Sequence, residues 1–180
     1  MTIEDIFSKM ATHMVEGLMI HDQLSQVFCY LNLYGYEKIH LHQYRDESDS
    51  YKDIARYYIL NQDRPVRLGR VDDPGILNQS WFTTKRSDVR PSSTKQITED
   101  CFKRWVDWES DTKALYQTLY AEAMAIGEVS AAAKILDYVV EVGEELIKAK
   151  DILLRLESTD FDLVAIYDEQ TSVYDLFLND

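Results

Sequence analysis

The sequence predicts an all-α protein, a four-helix bundle with one long crossover and a short C-terminal helix. Only 6 glycines and 3 prolines occur in 180 residues, which favours helices over a turn-rich β fold. Apolar residues recur at spacings of three and four along several long segments, as on the buried face of a helix. All three prolines fall between the second and third segments, so two helical hairpins would be joined by one long connection.

The first hairpin is predicted at the N-terminus. Its first helix extends from about Thr2 to Tyr34, with Thr2 and Asp5 as an N-terminal cap. Gly35 is expected to break this run. A tyrosine-rich second helix then extends over about residues 36–61.

The crossover is predicted from about Asp63 to Lys95. About 30 residues are too many for a hairpin turn, and loops of this length usually have a function. They are enough to traverse a bundle whose helices are about 40 Å long at about 1.5 Å per residue. The third helix is expected from a cap at Thr98 to Ala125.

The second hairpin is completed by a fourth helix, predicted from about Val129 to Glu157 after a break at Gly127. Residues 158–160 are expected to cap a last helix over 161–178, interrupted near Gln170. We therefore divide the chain into a bundle domain, residues 1–158, and a C-terminal helical tail, residues 159–180.

The composition narrows the functional classes. The formal net charge is −13, which disfavours binding to nucleic acids or anionic membranes and is compatible with attracting cations. Two distant cysteines, Cys29 and Cys101, suit a reduced cytosolic protein better than a disulfide framework. No stretch approaches the roughly 20 apolar residues of a membrane span. We expect a cytoplasmic protein with neither nucleic acid nor membrane as a partner.

Three acidic residues in the fourth helix are the most informative feature. Glu141, Glu144 and Glu145 share roughly one helical face, close to the apolar stripe. A buried carboxylate is costly unless it is paired or binds a cation. Two interpretations remain open from this segment, a solvated acidic face and a metal site inside a helix bundle.

Four short motifs, in order, resemble those of bacterial non-haem ferritins. Residues 23–30 resemble the first ferritin helix, in which a tyrosine follows a ligand glutamate by seven residues. Residues 35–50 are similar to the second helix, in which a Gly-aromatic-x-Lys run leads into a Glu-Glu-x-x-His motif. Trp108-Glu109 resembles the third helix. Residues 138–145 resemble a Glu-Gln-x-Glu-Glu motif in the fourth.

This resemblance implies a ferritin-like bundle that binds and oxidises Fe²⁺ at a di-iron centre and stores iron in a homo-oligomeric cage of 24 subunits. Carboxylates from separate helices would converge on the iron. The resemblance places metal ligands at Gln23, Glu47, Glu109 and Glu145, an adjoining third site at Asp46, Glu141 and Glu144, and a catalytic tyrosine at Tyr30.

The chain departs from the ferritin pattern at three positions. Gln23 replaces a glutamate, Ser50 replaces the histidine and Val142 replaces a glutamine. These losses predict iron that is weakly bound or absent. The function is therefore either iron binding and storage with weak ferroxidase activity, or a structural or interaction role without a working di-metal centre.

The histidines complete the candidates. Glu37 and His40 form an isolated Glu-x-x-His that we expect on the surface. His13 and His21 lie on the apolar stripe of the first helix, where a lone histidine is usually a hydrogen-bonded core residue. His21 points away from Gln23 around the helix, so it would reach the metal only in a different helix register.

Overall fold

The computed structural model describes the backbone of residues 1–178 and their side chains except at positions 80–81 and 174–178. Within this part of the chain the protein is all-α, as predicted. The helices are α1 (Ile3–Tyr30), α2 (Tyr34–Gln62), α3 (Pro91–Ala125), α4 (Val129–Ser158) and α5 (Leu163–Leu178). None of them, over the described residues, combines the length and apolarity needed to cross a membrane.

The first hairpin forms as predicted, although its turn lies elsewhere. Thr2 caps α1 through a reciprocal pair of hydrogen bonds with Asp5, with lengths of 3.2 and 2.8 Å. The expected break at Gly35 is wrong, because Asn32 makes the turn with a φ of 62°. Gly35 instead lies inside α2, where a Cβ would stand 2.1 Å from the backbone oxygen of Gln170. Glycine is therefore required here for the close approach of α5.

The crossover occupies residues 63–90 and contains three single-turn 3-10 helices, Ile76–Asn78, Ser80–Thr83 and Arg86–Asp88. The third helix begins at Pro91, about two turns before the predicted cap at Thr98, which is itself fully buried. Proline is favourable at the first helical position because its missing N–H would be unpaired there. The crossover lies against α1, where Gly69 N donates to Thr12 Oγ1 at 2.7 Å.

The second hairpin turns at Gly127, whose φ is 81°. Helix α5 begins after the predicted cap, with Asp162 accepting from Val164 N at 2.9 Å. It is continuous over its described length, so the predicted interruption near Gln170 is wrong. Gly35 N donates to Gln170 Oε1 at 3.1 Å, which ties α5 to α2. The predicted tail includes residues 179–180, which lie outside the described residues.

The core consists of two apolar clusters. One contains the second half of α1 and the first half of α3, with Phe28 and Trp105 at its centre. The other contains the opposite halves of these helices, with Phe7 and Tyr116. Between the two clusters, at one level of the bundle, each of the four long helices presents polar residues or glycine to the interior where it otherwise presents apolar side chains. This polar layer positions the candidate site.

Candidate metal centre

The polar layer receives one acidic side chain from each of three helices. Glu47 comes from α2, Glu109 from α3 and Glu145 from α4. Helix α1 contributes Gly17, and a Cβ built there would lie 2.6 Å from Glu47 Oε1. The missing side chain on α1 therefore makes space for the Glu47 carboxylate.

Glu109 is the most firmly held of the three acids. It is 1% exposed, and Trp105 Nε1 donates to its Oε1 at 2.9 Å. His21 Nε2 lies 3.6 Å from the same oxygen, just beyond hydrogen-bonding distance. The indole hydrogen bond therefore fixes one carboxylate oxygen next to a buried imidazole.

Glu47 and Glu145 are the two acids of the site whose pKa is raised furthest above its usual value. Burial, followed by repulsion from Glu109 and Glu141, holds the pKa of Glu47 well above its usual value. Burial and repulsion from Glu109 and Glu47 do the same to the pKa of Glu145, with a hydrogen bond from Gln43 acting in the opposite direction. Among the described residues, neither acid forms an ion pair with a lysine or arginine. A cation would relieve this repulsion.

Three further acids, Asp46, Glu141 and Glu144, lie at the solvent side of the layer and are called the outer acids. Glu141 has a raised pKa because of partial burial and repulsion from Asp46 and Glu144. Asp46 lies 2.6 Å from His42 Nδ1, and Glu144 is exposed. Of the two interpretations of the acidic run on α4, the solvated face describes Glu144, whereas Glu145 points into the bundle.

A small cavity of about 20 Å³ opens between these acids, enough for one water molecule or one ion. Its lining combines the inner and outer acids with apolar and aromatic side chains. The lining residues are Met14, Asp46, Glu47, Ser50, Tyr116, Tyr138, Glu141, Val142 and Glu145. Ser50 and Val142, predicted as departures at the metal site, therefore do lie at this cavity.

The acids lie near one another but do not form a preassembled metal-binding site. Among the side chains that the structure describes, no three from His, Cys, Asp or Glu are arranged closely enough to hold one metal ion. Binding of one ion by all three inner acids would therefore require their side chains to move closer together. The carboxylate oxygens of Glu47, Glu109 and Glu145, which pair with no lysine or arginine in the part of the chain that the structure describes, are chemically suited to a hard divalent cation.

The structure places Gln23 and Tyr30 away from this layer. Gln23 Nε2 donates to Asp73 Oδ1 at 2.7 Å, and its Oε1 accepts from Ile76 N at 2.9 Å, so it holds the crossover. The Tyr30 hydroxyl donates to Thr84 O at 2.8 Å. The predicted register of α1 is wrong, because both residues lie on the helical face that the crossover covers.

The prediction that His40 lies on the surface is also wrong. His40 is 1% exposed, and its Nδ1 is 3.0 Å from Nδ1 of the fully buried His21. Burial and the nearby His21 hold the pKa of His40 well below its usual value, so this imidazole is neutral. Helical spacing could have located both, since His21 lies one turn after Gly17 and His40 two turns before Glu47.

Comparisons with solved structures identify the fold as ferritin-like. A ferritin of Archaeoglobus fulgidus, engineered into a closed form, has 15% identity and a TM-score of 0.76, covering 97% of this chain and 96% of its own. The open-pore ferritin of this hyperthermophilic archaeon has 15% identity and a TM-score of 0.76, over 95% and 94% of the two chains. A PmFTN variant from a crystal soaked in iron has 14% identity and a TM-score of 0.77, over 94% and 96%.

Sequence comparisons add no closer assignment. No protein-family model matches the chain, and no curated protein matches it. At 14–15% identity, the similarity to ferritins establishes the four-helix fold with its long crossover.

Proposed function

We propose that this protein binds ferrous iron in the polar layer, with Glu47, Glu109 and Glu145 as the inner ligands, and acts as an iron-binding and storage protein. The observation that carries the proposal is the convergence of these acids from three helices, where burial and then mutual repulsion raise the pKa of Glu47 and of Glu145. Iron is the cargo here. The ferritin-like fold and the iron-soaked PmFTN neighbour support this choice of metal.

The outer acids suit a delivery role. Glu141 and Asp46 line the same cavity as Glu47 and reach toward solvent, so they connect the surface to the inner acids. A net charge of −13 favours the arrival of cations. We infer that iron passes from these outer carboxylates to the inner ones.

Oxidation of the bound iron should be slow. Each Fe²⁺ would give one electron to dioxygen, which accepts two electrons and two protons and leaves as hydrogen peroxide. Tyr30 plays no part in our proposal, because it lies under the crossover. Without a preassembled ligand cage, the acids must reorganise before they hold iron, and this reorganisation lowers the affinity.

Anaerobic titration of Fe²⁺ into the purified protein tests binding directly. We expect saturable binding that weakens at least about tenfold in Glu109→Gln, since a buried carboxylate ligand is lost. Glu157→Gln is the matched control, because Glu157 is an exposed acid on α4 outside the cavity. Equal affinity in the wild type and Glu109→Gln, or no saturable binding, would exclude the polar layer as the iron site.

We further propose that the chain works as a homo-oligomer in the cytoplasm, and that the oligomer is a 24-subunit cage. Helix α4 exposes an apolar stripe that supports self-association. The stripe consists of Leu136, Val140, Ile147 and Leu154, each 43–69% exposed. Free Cys29 and Cys101 suit a reducing compartment. Native mass spectrometry should give a single large assembly that Ile147→Lys disrupts.

The second candidate is a structural or interaction protein with no working metal centre. It is favoured by the absence of a preassembled metal cluster among the described side chains, and by Met14 and Gly17 where α1 faces the acids. A small oligomer that binds no iron at millimolar Fe²⁺ would establish this alternative.

A further inference from the structure

The buried pair His21 and His40 is unused by the iron site described so far. His21 is fully buried, and its Nε2 has no hydrogen-bond partner. That nitrogen faces Glu109 Oε1 at 3.6 Å. An unpartnered polar atom in a dry core is costly, so this arrangement requires a physical explanation.

The 3.6 Å separation of His21 Nε2 and Glu109 Oε1 is close to the spacing of two ligands on one metal ion. Metal–nitrogen and metal–oxygen bonds of about 2.1 Å place the two donor atoms roughly 3.0 to 3.4 Å apart at angles between square and tetrahedral. The observed separation of 3.6 Å is slightly wider than this range and exceeds a normal N–H···O contact.

Neighbouring side chains orient His21 Nε2 and Glu109 Oε1 as metal ligands. His21 Nδ1 lies 3.0 Å from His40 Nδ1, so one of the two nitrogens donates a hydrogen bond to the other. When His21 donates, its Nε2 carries a lone pair directed at Glu109. Metal-binding histidines commonly donate their other N–H in this way, which fixes their tautomer and orientation. Trp105 fixes Glu109 from the other side.

We propose that His21, on α1, supplies the imidazole ligand of a mixed nitrogen and oxygen site for a divalent metal, together with Glu109. The third ligand is Glu47 or Glu145, whichever rotates toward the ion. The inference rests on the proposed function, and it places the nitrogen donor on α1. On α2 the cavity is lined by Ser50, which cannot supply an imidazole.

Pulsed EPR of bound Mn²⁺ tests this assignment, because it detects a nitrogen nucleus in the first coordination sphere independently of any iron oxidation. Wild-type protein should show nitrogen coupling. His21→Phe should lose the coupling and bind Mn²⁺ about tenfold more weakly by calorimetry. If His21→Phe does not fold, as judged by circular dichroism, His21→Gln replaces it.

His13→Phe is the matched control, a second α1 histidine that stacks on Trp108 at 4.2 Å and whose Nε2 already has a hydrogen-bond partner, Thr112 Oγ1, at 2.7 Å. It should keep both the coupling and the affinity. Mn²⁺ bound by the wild type without nitrogen coupling, or coupling that survives in the His21 variant, overturns this inference and leaves the carboxylate site standing. A wild-type protein that binds neither Mn²⁺ nor Fe²⁺ overturns the proposed function as well.

Discussion

Gly17 on α1 lies directly opposite Glu47 on α2, so close that a Cβ on Gly17 would stand 2.6 Å from Glu47 Oε1 and 2.8 Å from its carboxyl carbon. The acid at the centre of the polar layer therefore occupies the space of an absent side chain. This relationship makes Gly17 a test of the site that removes no ligand.

Gly17→Ala should weaken Fe²⁺ binding while leaving the fold intact. The added methyl group must displace the flexible end of Glu47, whereas alanine gains about 1 kcal/mol of helix propensity over glycine. We expect the free energy of unfolding to change by less than about 1 kcal/mol and Fe²⁺ affinity to fall several-fold, measured by urea unfolding and anaerobic titration.

Gly143→Ala is the control for this change. Gly143 is also a helical glycine, but its Cβ would meet only the end of the flexible Lys113 side chain, with Nζ at 3.4 Å and Cε at 3.8 Å. Gly143→Ala should raise the free energy of unfolding and leave the Fe²⁺ affinity unchanged. Unchanged affinity in Gly17→Ala would show that the Glu47 carboxylate is not a ligand.

Glu145→Gln should stabilise the metal-free protein at neutral pH. Burial and repulsion from Glu109 and Glu47 raise the pKa of Glu145, so its ionised form is disfavoured in the folded state. Replacing it with a neutral amide should raise the free energy of unfolding by about 1–2 kcal/mol. The check is urea unfolding with and without Mn²⁺, which should stabilise the wild type more than the variant.

Exposed Glu157 again provides the control, and Glu157→Gln should stay within about 0.5 kcal/mol of the wild type. A metal-free Glu145→Gln protein less stable than the wild type would mean that the repulsion inferred at this layer is absent.

Ser50→His and Gln23→Glu should have opposite outcomes, although both restore ferritin-like residues. Ser50 lines the cavity, so an imidazole there should raise Fe²⁺ affinity and the rate of oxidation in stopped-flow absorbance.

Gln23 donates to Asp73 at 2.7 Å, so a glutamate would place two carboxylates in contact. We expect Gln23→Glu to cost about 1–3 kcal/mol and leave iron oxidation unchanged. A faster reaction in Gln23→Glu alone would reinstate the sequence-based register of α1.

Gly35→Ala should detach α5 from α2. A Cβ at this position would lie 2.1 Å from the backbone oxygen of Gln170, and backbone cannot move aside as a flexible side chain does. We expect a loss of about 1–3 kcal/mol in the free energy of unfolding, together with faster hydrogen exchange in α5. Gln170→Ala, which removes only the 3.1 Å hydrogen bond to Gly35 N, should cost about 1 kcal/mol. Equal costs for the two variants would contradict the steric argument.

His13 should make the protein less stable as the pH falls. Burial lowers its pKa from 6.5 to about 4. Between these values the unfolded chain binds a proton that the folded protein does not, so stability present above pH 6.5 is lost on acidification. The full effect is at most about 3 kcal/mol.

The measurement compares wild type with His13→Phe by urea unfolding from pH 7.5 to 4, so that effects of other groups cancel. Glu16 Oε2 lies 3.6 Å from His13 Nδ1 and, when ionised, acts against this lowering of the pKa. Parallel stability curves for the two proteins would show that the pKa of His13 is the same in the folded and unfolded states.

The sequence by itself determined the helical class, the two hairpins and the long crossover, which follow from the helical period and from glycine and proline placement, local properties of the chain. The acids of α2, α3 and α4 were predicted through the resemblance of their motifs to those of ferritins. The tertiary structure decided which residues of α1 face those acids. The crossover covers a second face of α1 and buries Gln23, so burial on that helix no longer marks a single side.

For the same reason, the sequence did not predict that His21 and His40 lie next to these acids. A 3.6-residue period identifies the inward face of a helix, but it does not fix the level at which one helix meets its neighbour. That level depends on side chains in contact across the bundle, such as Gly17 against Glu47 and Gly35 against Gln170. Only packing between distant segments could therefore bring an imidazole of α1 within 3.6 Å of Glu109.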